Sequence, residues 1–331
     1  MLRSLSHPAR LIAAISALAL LLPLAAQAQA ATPSATATAT ATATPTATAT
    51  GSTTPTATTT PQATATPGAT ATPNAATPHD ARYFAQTGFR VDNDTFWDYY
   101  NARGGLATFG YPTSRTFQFL GFTTQFFQRR IMQLGPDGHA RLLNLFDQGL
   151  FPFTNINGST FPAPDATLQA QVPLPSSATY STDVITFIQQ HAPNTFNGRA
   201  TNFWNTFLST VTLSQAFPNG NGDTSLLPGF DLEMWGAVTS APMIDPANNN
   251  FIYLRFQRGI MMFDGSTNLT QGVLLADYFK DVITGRNIPP DLDLQARNSS
   301  FYKQYNDAMP NGLNTPALLP GTNMQFAFDP E

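Results

Sequence analysis

The strongest constraint on this chain is an internal duplication, because a sequence that repeats one ordered set of landmarks must build one packing unit twice. Phe127-Gln128-Arg129-Arg130-Ile131-Met132 matches Phe256-Gln257-Arg258-Gly259-Ile260-Met261 at five of six positions. Upstream, Phe109-Gly110-Tyr111-Pro112-Thr113-Ser114 matches Trp235-Gly236-Ala237-Val238-Thr239-Ser240, with Gly, Thr and Ser in register. Further upstream Phe96-Trp97 and Tyr100 echo Phe203-Trp204 and Phe207, and downstream Leu142-Leu143 echoes Leu274-Leu275. The landmarks place a first repeat at 80–153 and a second at 180–285, with a connector at 154–179. An extension at 286–331 is expected to pack on the second repeat.

Each repeat opens with the pattern of a short helix. Asn93 or Asp94 caps the first, Phe96, Tyr99, Tyr100 and Arg103 follow at helical spacing, and Gly104-Gly105 allow a left-handed exit. Phe203, Trp204, Phe207 and Leu208 repeat the pattern. Beyond the Gly-x-x-Thr-Ser turn the period changes to two: Phe117 and Phe119 alternate with polar residues, and Gly121 suits a hairpin into a run from Phe122 to Leu134. That run reads as one long strand, as does Phe251–Phe263 in the second repeat. A helix is expected over Val273–Ile283 with a weaker counterpart over Arg141–Phe146, and another over Leu292–Tyr305. The expected fold is α+β: two copies of a helix plus antiparallel β-hairpin unit sharing one core, preceded by a disordered Thr/Ala/Pro stalk.

The first thirty residues carry Arg3 and Arg10, an apolar run of about fourteen residues (Leu11–Leu24) and Ala-Gln-Ala triplets ending at Ala28 and Ala30. This is the pattern of a secretory signal, and the run is shorter than the ~20 residues of a spanning helix. Export is therefore expected, to the medium or the cell surface, with no transmembrane anchor. From 31 to 79 the chain is almost wholly Ala, Thr and Pro, with nothing to bury, and reads as a disordered spacer. No cysteine is present, so neither a disulfide nor a thiolate site supports the fold. Loss of the leader leaves 14 basic residues against 20 acidic, and the only lysines are Lys280 and Lys303. That balance excludes nucleic acid and anionic membrane surfaces as partners.

Phe109-Gly110-Tyr111-Pro112, followed by Gln125-Phe126-Phe127-Gln128-Arg129-Arg130, resembles the repeats of a family of secreted bacterial proteins. The second repeat, through Pro289-Pro290-Asp291-Leu292, looks like the C-terminal module of similar proteins. More loosely, Phe-Gly-Tyr-Pro is similar to the core of LGFP repeats, which are attached to cell-surface enzymes. Here Phe stands in place of the first Leu, and Ala237-Val238 replace Tyr-Pro in the second repeat. The resemblance implies association with the cell envelope or an extracellular polymer.

Catalytic patterns are sparse. The histidines (His7, His79, His139, His191) form no His-Glu-x-x-His, and no Gly-x-Ser-x-Gly elbow exists. The loop at Asn219–Asp223 alternates oxygen ligands with glycine but lacks the closing glutamate of a calcium loop. No metal or cofactor is expected. The acid of a glycan-cleaving pair would be Glu233, the only internal glutamate, or one of the aspartates, with Asp231 and Asp245 as candidate partners. The residues that mark a ligand surface are the repeated ones. Trp97, Tyr111, Trp204 and Trp235 form either platforms for sugar rings or core, and Arg129 and Arg258 either clamp a ligand carboxylate or tie down loop carbonyls. Three functions fit: a non-catalytic binder of cell-wall or extracellular polysaccharide, an extracellular structural or protein-interaction module, and a hydrolase or lyase acting on glycan or peptidoglycan.

Overall fold

The computed structural model describes residues 80–331 except Gln148, so the expected leader and Thr/Ala/Pro spacer at 1–79 lie outside the described residues. A short antiparallel pair, β1 (Tyr83–Phe84) and β2 (Phe89–Arg90), leads into α1 (Asp94–Ala102). The cap is Asn93, whose side-chain oxygen accepts the Phe96 amide at 3.1 Å, satisfying one first-turn donor. Phe96 and Tyr100, four residues apart, form the buried face. Gly104 and Gly105, both at positive φ, redirect the chain into α2 (Gly105–Phe109).

A four-stranded antiparallel meander follows: β3 (Phe117–Phe119), β4 (Phe122–Phe126), β5 (Ile131–Leu134) and β6 (Ala140–Leu142). Leu120 and Gly121 at positive φ close the β3–β4 turn. The connector contributes the hairpin β7 (Asn155–Ile156) and β8 (Ser159–Thr160) and the short helix α3 (Ala166–Gln169), capped by Asp165. The second repeat begins with α4 (Tyr180–His191), α5 (Phe203–Leu208), α6 (Leu213–Ala216) and α7 (Leu227–Trp235). The insertion that separates α5 from α7 holds α6 and the exposed Asn219–Gly220 turn. A second antiparallel meander, β9 (Met243–Ile244), β10 (Phe251–Phe256), β11 (Gly259–Asp264) and β12 (Leu269–Gly272), precedes α8 (Leu275–Thr284) and α9 (Pro290–Ala296).

The duplication holds at the level of individual atoms. Helix α2 ends on Gly110 (φ 75°, ψ −169°) and α7 on Gly236 (φ 69°, ψ −170°), a conformation open to glycine alone. A Cβ on Gly110 would stand 2.7 Å from Gln128 Cβ, and one on Gly236 2.6 Å from Gln257 Cβ. Each of these glutamines reaches back: Gln128 Oε1 accepts the Tyr111 amide at 3.1 Å and Gln257 Oε1 the Ala237 amide at 2.9 Å. The Arg129 amide donates to Phe109 O and the Arg258 amide to Trp235 O, both at 2.9 Å. Ser114 Oγ accepts the Phe126 amide at 2.8 Å, and Ser240 Oγ the Arg255 amide at 3.1 Å. Arg129 and Arg258 thus occupy equivalent backbone sites, and so do Phe126 and Arg255.

Several local expectations change. The runs at Phe122–Leu134 and Phe251–Phe263 are not single strands; each folds into a hairpin, β4–β5 and β10–β11, with Gln128-Arg129 or Gln257-Arg258 at its two-residue tip. Gln-Arg has no intrinsic turn preference. The tip is shaped by its bonds to the glycine loop, a contact distant in sequence. The Leu-Leu echo is displaced by two residues, since the Leu143 amide bonds to Ile131 O as the Val273 amide bonds to Ile260 O, both at 2.9 Å. Leu145 therefore answers Leu275, and Arg141-Leu142 lie in β6 rather than in a helix. The tail helix stops at Ala296, and the extension packs on both repeats. Tyr305 N bonds to Ile283 O in the second, while the Asn323 amide bonds to Gln118 O and the Gly121 amide to Gly321 O in the first.

Both sheets are buried on both faces at their centres, which accounts for consecutive apolar residues such as Phe126-Phe127 and Ile260-Met261. Phe126, Ile131, Tyr253 and Ile260 face one apolar cluster with α8, α9 and the tail. Phe127, Met132, Leu254, Phe256 and Met261 face the other, with α1, α4 and α5. Both repeats contribute to both clusters, so they share their interior.

Candidate functional site

A cleft of about 470 Å3 opens where the two repeats meet the connector. Its floor is the face of β10 that carries Phe251 and Tyr253, which lie on one side because strand residues alternate. Phe161, just past β8, meets the Tyr253 ring edge-on at 4.8 Å. The tight β7–β8 turn presents Asn157 and Ser159, α8 presents Tyr278, and β12 presents Gln271. The first repeat closes the cleft with its tip. Gln128 O accepts the Asp277 amide at 3.0 Å, docking the tip on α8, and Arg129 Nε donates to Gly272 O at 3.0 Å.

The electrostatics of the cleft are those of neutral hydrogen-bonding groups. The Tyr253 hydroxyl donates to Ser159 Oγ at 3.0 Å and lies 3.4 Å from Asp245 Oδ2; burial pushes its pKa up to about 12. Burial likewise raises the Tyr278 hydroxyl, and it lowers the Arg129 guanidinium. Aromatic rings interspersed with amides and hydroxyls make a surface that can take an amphipathic ring, with the Arg129 cation at the rim.

The residues expected to mark a ligand surface are not brought to one place. Arg129 alone lines the cleft described above. Trp97 is half-buried, stacked on Tyr100 at 5.9 Å with Arg82 over its ring, and Tyr111 meets Phe84 edge-on at 5.9 Å. Trp204 stacks on Phe207 at 5.5 Å in the equivalent place of the second repeat. Trp235 is only 5% exposed: its Nε1 donates to Thr210 Oγ1 at 2.8 Å and the Arg130 guanidinium lies 4.5 Å over its ring. Arg258 Nη1 donates to the carbonyls of Leu232 and Glu233 at 3.2 and 2.9 Å, near the end of α7. Its role there is to satisfy helix-terminal acceptors.

The carboxylates considered for glycan cleavage are each engaged elsewhere. Glu233 Oε1 accepts the Tyr99 hydroxyl at 2.6 Å and Oε2 accepts Arg103 Nε at 2.8 Å. Asp231 sits two residues away on α7, on the far side of the helix, fully buried and accepting the Val211 amide at 2.9 Å. Asp245 is buried and caps its own turn by accepting the Ala247 amide at 3.0 Å. Among the described residues no group of three His, Cys, Asp or Glu is placed to hold a metal, and no helix is long and apolar enough to cross a membrane.

The cleft residues that a repeat-based reading misses are Phe251, Tyr253 and Tyr278. Tyr253 stands opposite Thr124 of the first repeat, so a search for repeated residues passes over it; Phe251 is matched by Phe122, and the Phe-x-Tyr alternation was the available signal. The chain matches no family model, no curated protein and no solved structure.

Proposed function

We propose that the protein is a non-catalytic, extracellular binding module whose junctional cleft receives a sugar unit of an envelope or extracellular polysaccharide. The observation that carries this reading is the composition of the cleft: the partly exposed Phe251 and Tyr278 offer ring surface over the buried Phe161 and Tyr253, while Asn157, Ser159, Gln128 and Gln271 offer neutral donors and acceptors. A pyranose has the matching character, an apolar C–H face bordered by hydroxyls. The leader pattern, the Thr/Ala/Pro spacer and the resemblance of both repeats to those of secreted bacterial proteins support the extracellular setting.

The test is co-sedimentation of the full secreted chain with purified cell wall and a panel of insoluble glycans. Asn157 and Gln271 are exposed at the cleft rim, and Asn157 is at φ 54°, which glycine tolerates, so an N157G/Q271A variant is expected to keep the parental melting temperature. It is expected to lose retention by about tenfold or more, the equivalent of roughly 1.4 kcal/mol. Absence of retention on every glycan, with one protein captured by crosslinking, would replace this reading with a protein-interaction role. Release of soluble sugar would replace it with a hydrolase.

A further inference from the structure

The repeats are most informative where they differ. Two residues before the tip, the first repeat has Phe126 and the second Arg255, held by the same serine bond to the backbone amide. Phe126 is fully buried and stacks on Phe279 at 6.1 Å with planes 12° apart, an ordinary core contact. Arg255 is also buried, at 5% exposure, and its guanidinium lies 3.6 Å over the ring of Phe146. The position that holds a core phenylalanine in the first repeat thus holds a largely covered guanidinium in the second. Burial draws the Arg255 pKa down to about 10.

Such a group is costly to bury unless it is paired. Arg255 Nη1 nevertheless has no hydrogen-bond partner among the described residues. It lines a polar cleft of about 260 Å3 between the second tip and the segment after β6, with Asn144, Phe146, Gln169, Gln257 and Arg258. The one acidic side chain on the rim is Asp147, and its Oδ1 already accepts Asn144 Nδ2 at 2.7 Å. The Arg255 guanidinium, pinned against a ring with its Nη1 unpaired, lines this pocket, while the neighbouring Arg258 has its Nη1 held by the Leu232 and Glu233 carbonyls. We infer that this pocket is an oxoanion site, in which the Arg255 fork takes a carboxylate or phosphate group edge-on. The pocket is separate from the junctional cleft, and the inference stands whether or not that cleft binds a sugar.

The test is calorimetric titration of the full secreted chain with glucuronate, glucose and inorganic phosphate, repeated on Arg255→Phe. That variant restores the residue of the first repeat and is expected to fold with a melting temperature at or above the parent's. Arg255→Met provides the same comparison should the phenylalanine not be accommodated. Glucuronate bound at millimolar concentration or tighter, with glucose silent and at least a tenfold loss in the variant, identifies a sugar carboxylate as the occupant. Phosphate bound without glucuronate, and lost in the variant, identifies a free oxoanion. Neither anion bound, or binding unchanged in both variants, overturns the site.

Discussion

The Tyr99 hydroxyl of the first repeat donates to Glu233 Oε1 of the second at 2.6 Å, and Arg103 completes the contact at 2.8 Å on the other oxygen. Burial, reinforced by this carboxylate, raises the pKa of the Tyr99 hydroxyl, so it remains a donor across the physiological range. The glutamate that sequence inspection marks as a catalytic acid is thereby a latch between α1 and α7. Glu233→Gln is expected to lower unfolding free energy by about 1 kcal/mol, the scale of a partly exposed charged hydrogen bond. Tyr99→Phe should cost a similar amount, and a double-mutant cycle in urea should show coupling of roughly 0.5–1 kcal/mol. Independent, additive losses would deny the latch.

Gly110 and Gly236 supply a direct test of the duplication. Both sit at φ near 70° and ψ near −170°, and both would drive a Cβ into the glutamine at the facing tip. Gly110→Ala and Gly236→Ala are each expected to cost at least about 2 kcal/mol, combining backbone strain with overpacking. Chemical denaturation of the two variants should give losses of similar size. A tolerated alanine at either place would break the equivalence.

Stability should fall as the solution passes from mildly acidic to mildly basic. Asp231 is fully buried, and desolvation lifts its carboxyl to about 7; Asp281 is lifted to about 7 chiefly for the same reason. A folded-state pKa above the unfolded value means that the native protein binds the proton more tightly. The stabilising contribution is complete below the ordinary aspartate range near 4 and is lost as pH climbs through about 7. Melting temperatures are expected to be higher at pH 5 than at pH 8, with a difference of roughly 1–3 kcal/mol in unfolding free energy. Asp231→Asn should flatten the profile and gain most at pH 8. A profile that rises toward pH 8, or one untouched by the substitution, would contradict this account.

How far the fold could be read in advance follows from where the determining contacts lie. The Asn93 cap, the Gly104-Gly105 exit, the Leu120-Gly121 turn and α5 are set by neighbours within a few residues, and all appear at their expected places. The tips at Gln128-Arg129 and Gln257-Arg258 are set by carbonyls about twenty residues upstream, which a local period cannot reveal. The same holds for the sites. Repetition drew attention to Trp235 and Arg258, which serve packing, whereas Tyr253 and Arg255 stand where the two repeats diverge.

Divergence between the repeats also serves packing, as at Arg130, whose counterpart is Gly259. A Cβ on Gly259 would lie 2.9 Å from Arg130 Nη1, so the glycine leaves room for the arginine of the other repeat. Arg130 uses that room to donate to Arg258 O and to cover Trp235 at 4.5 Å, while burial lowers its pKa to about 9. The three tryptophans should then differ in acrylamide quenching. Trp97 and Trp204 are half-buried on equivalent stacking partners and should be quenched, and Trp235 should be protected. The Stern–Volmer plot of the native protein should therefore curve downward. Arg130→Gly, which makes the two tips alike, removes the cover from Trp235 and a cation–ring contact of about 1–2 kcal/mol. The variant should show a nearly straight plot with all three indoles accessible and a lowered melting temperature. Uniform quenching in the parent protein would mean that Arg130 does not seal the interface between the tips.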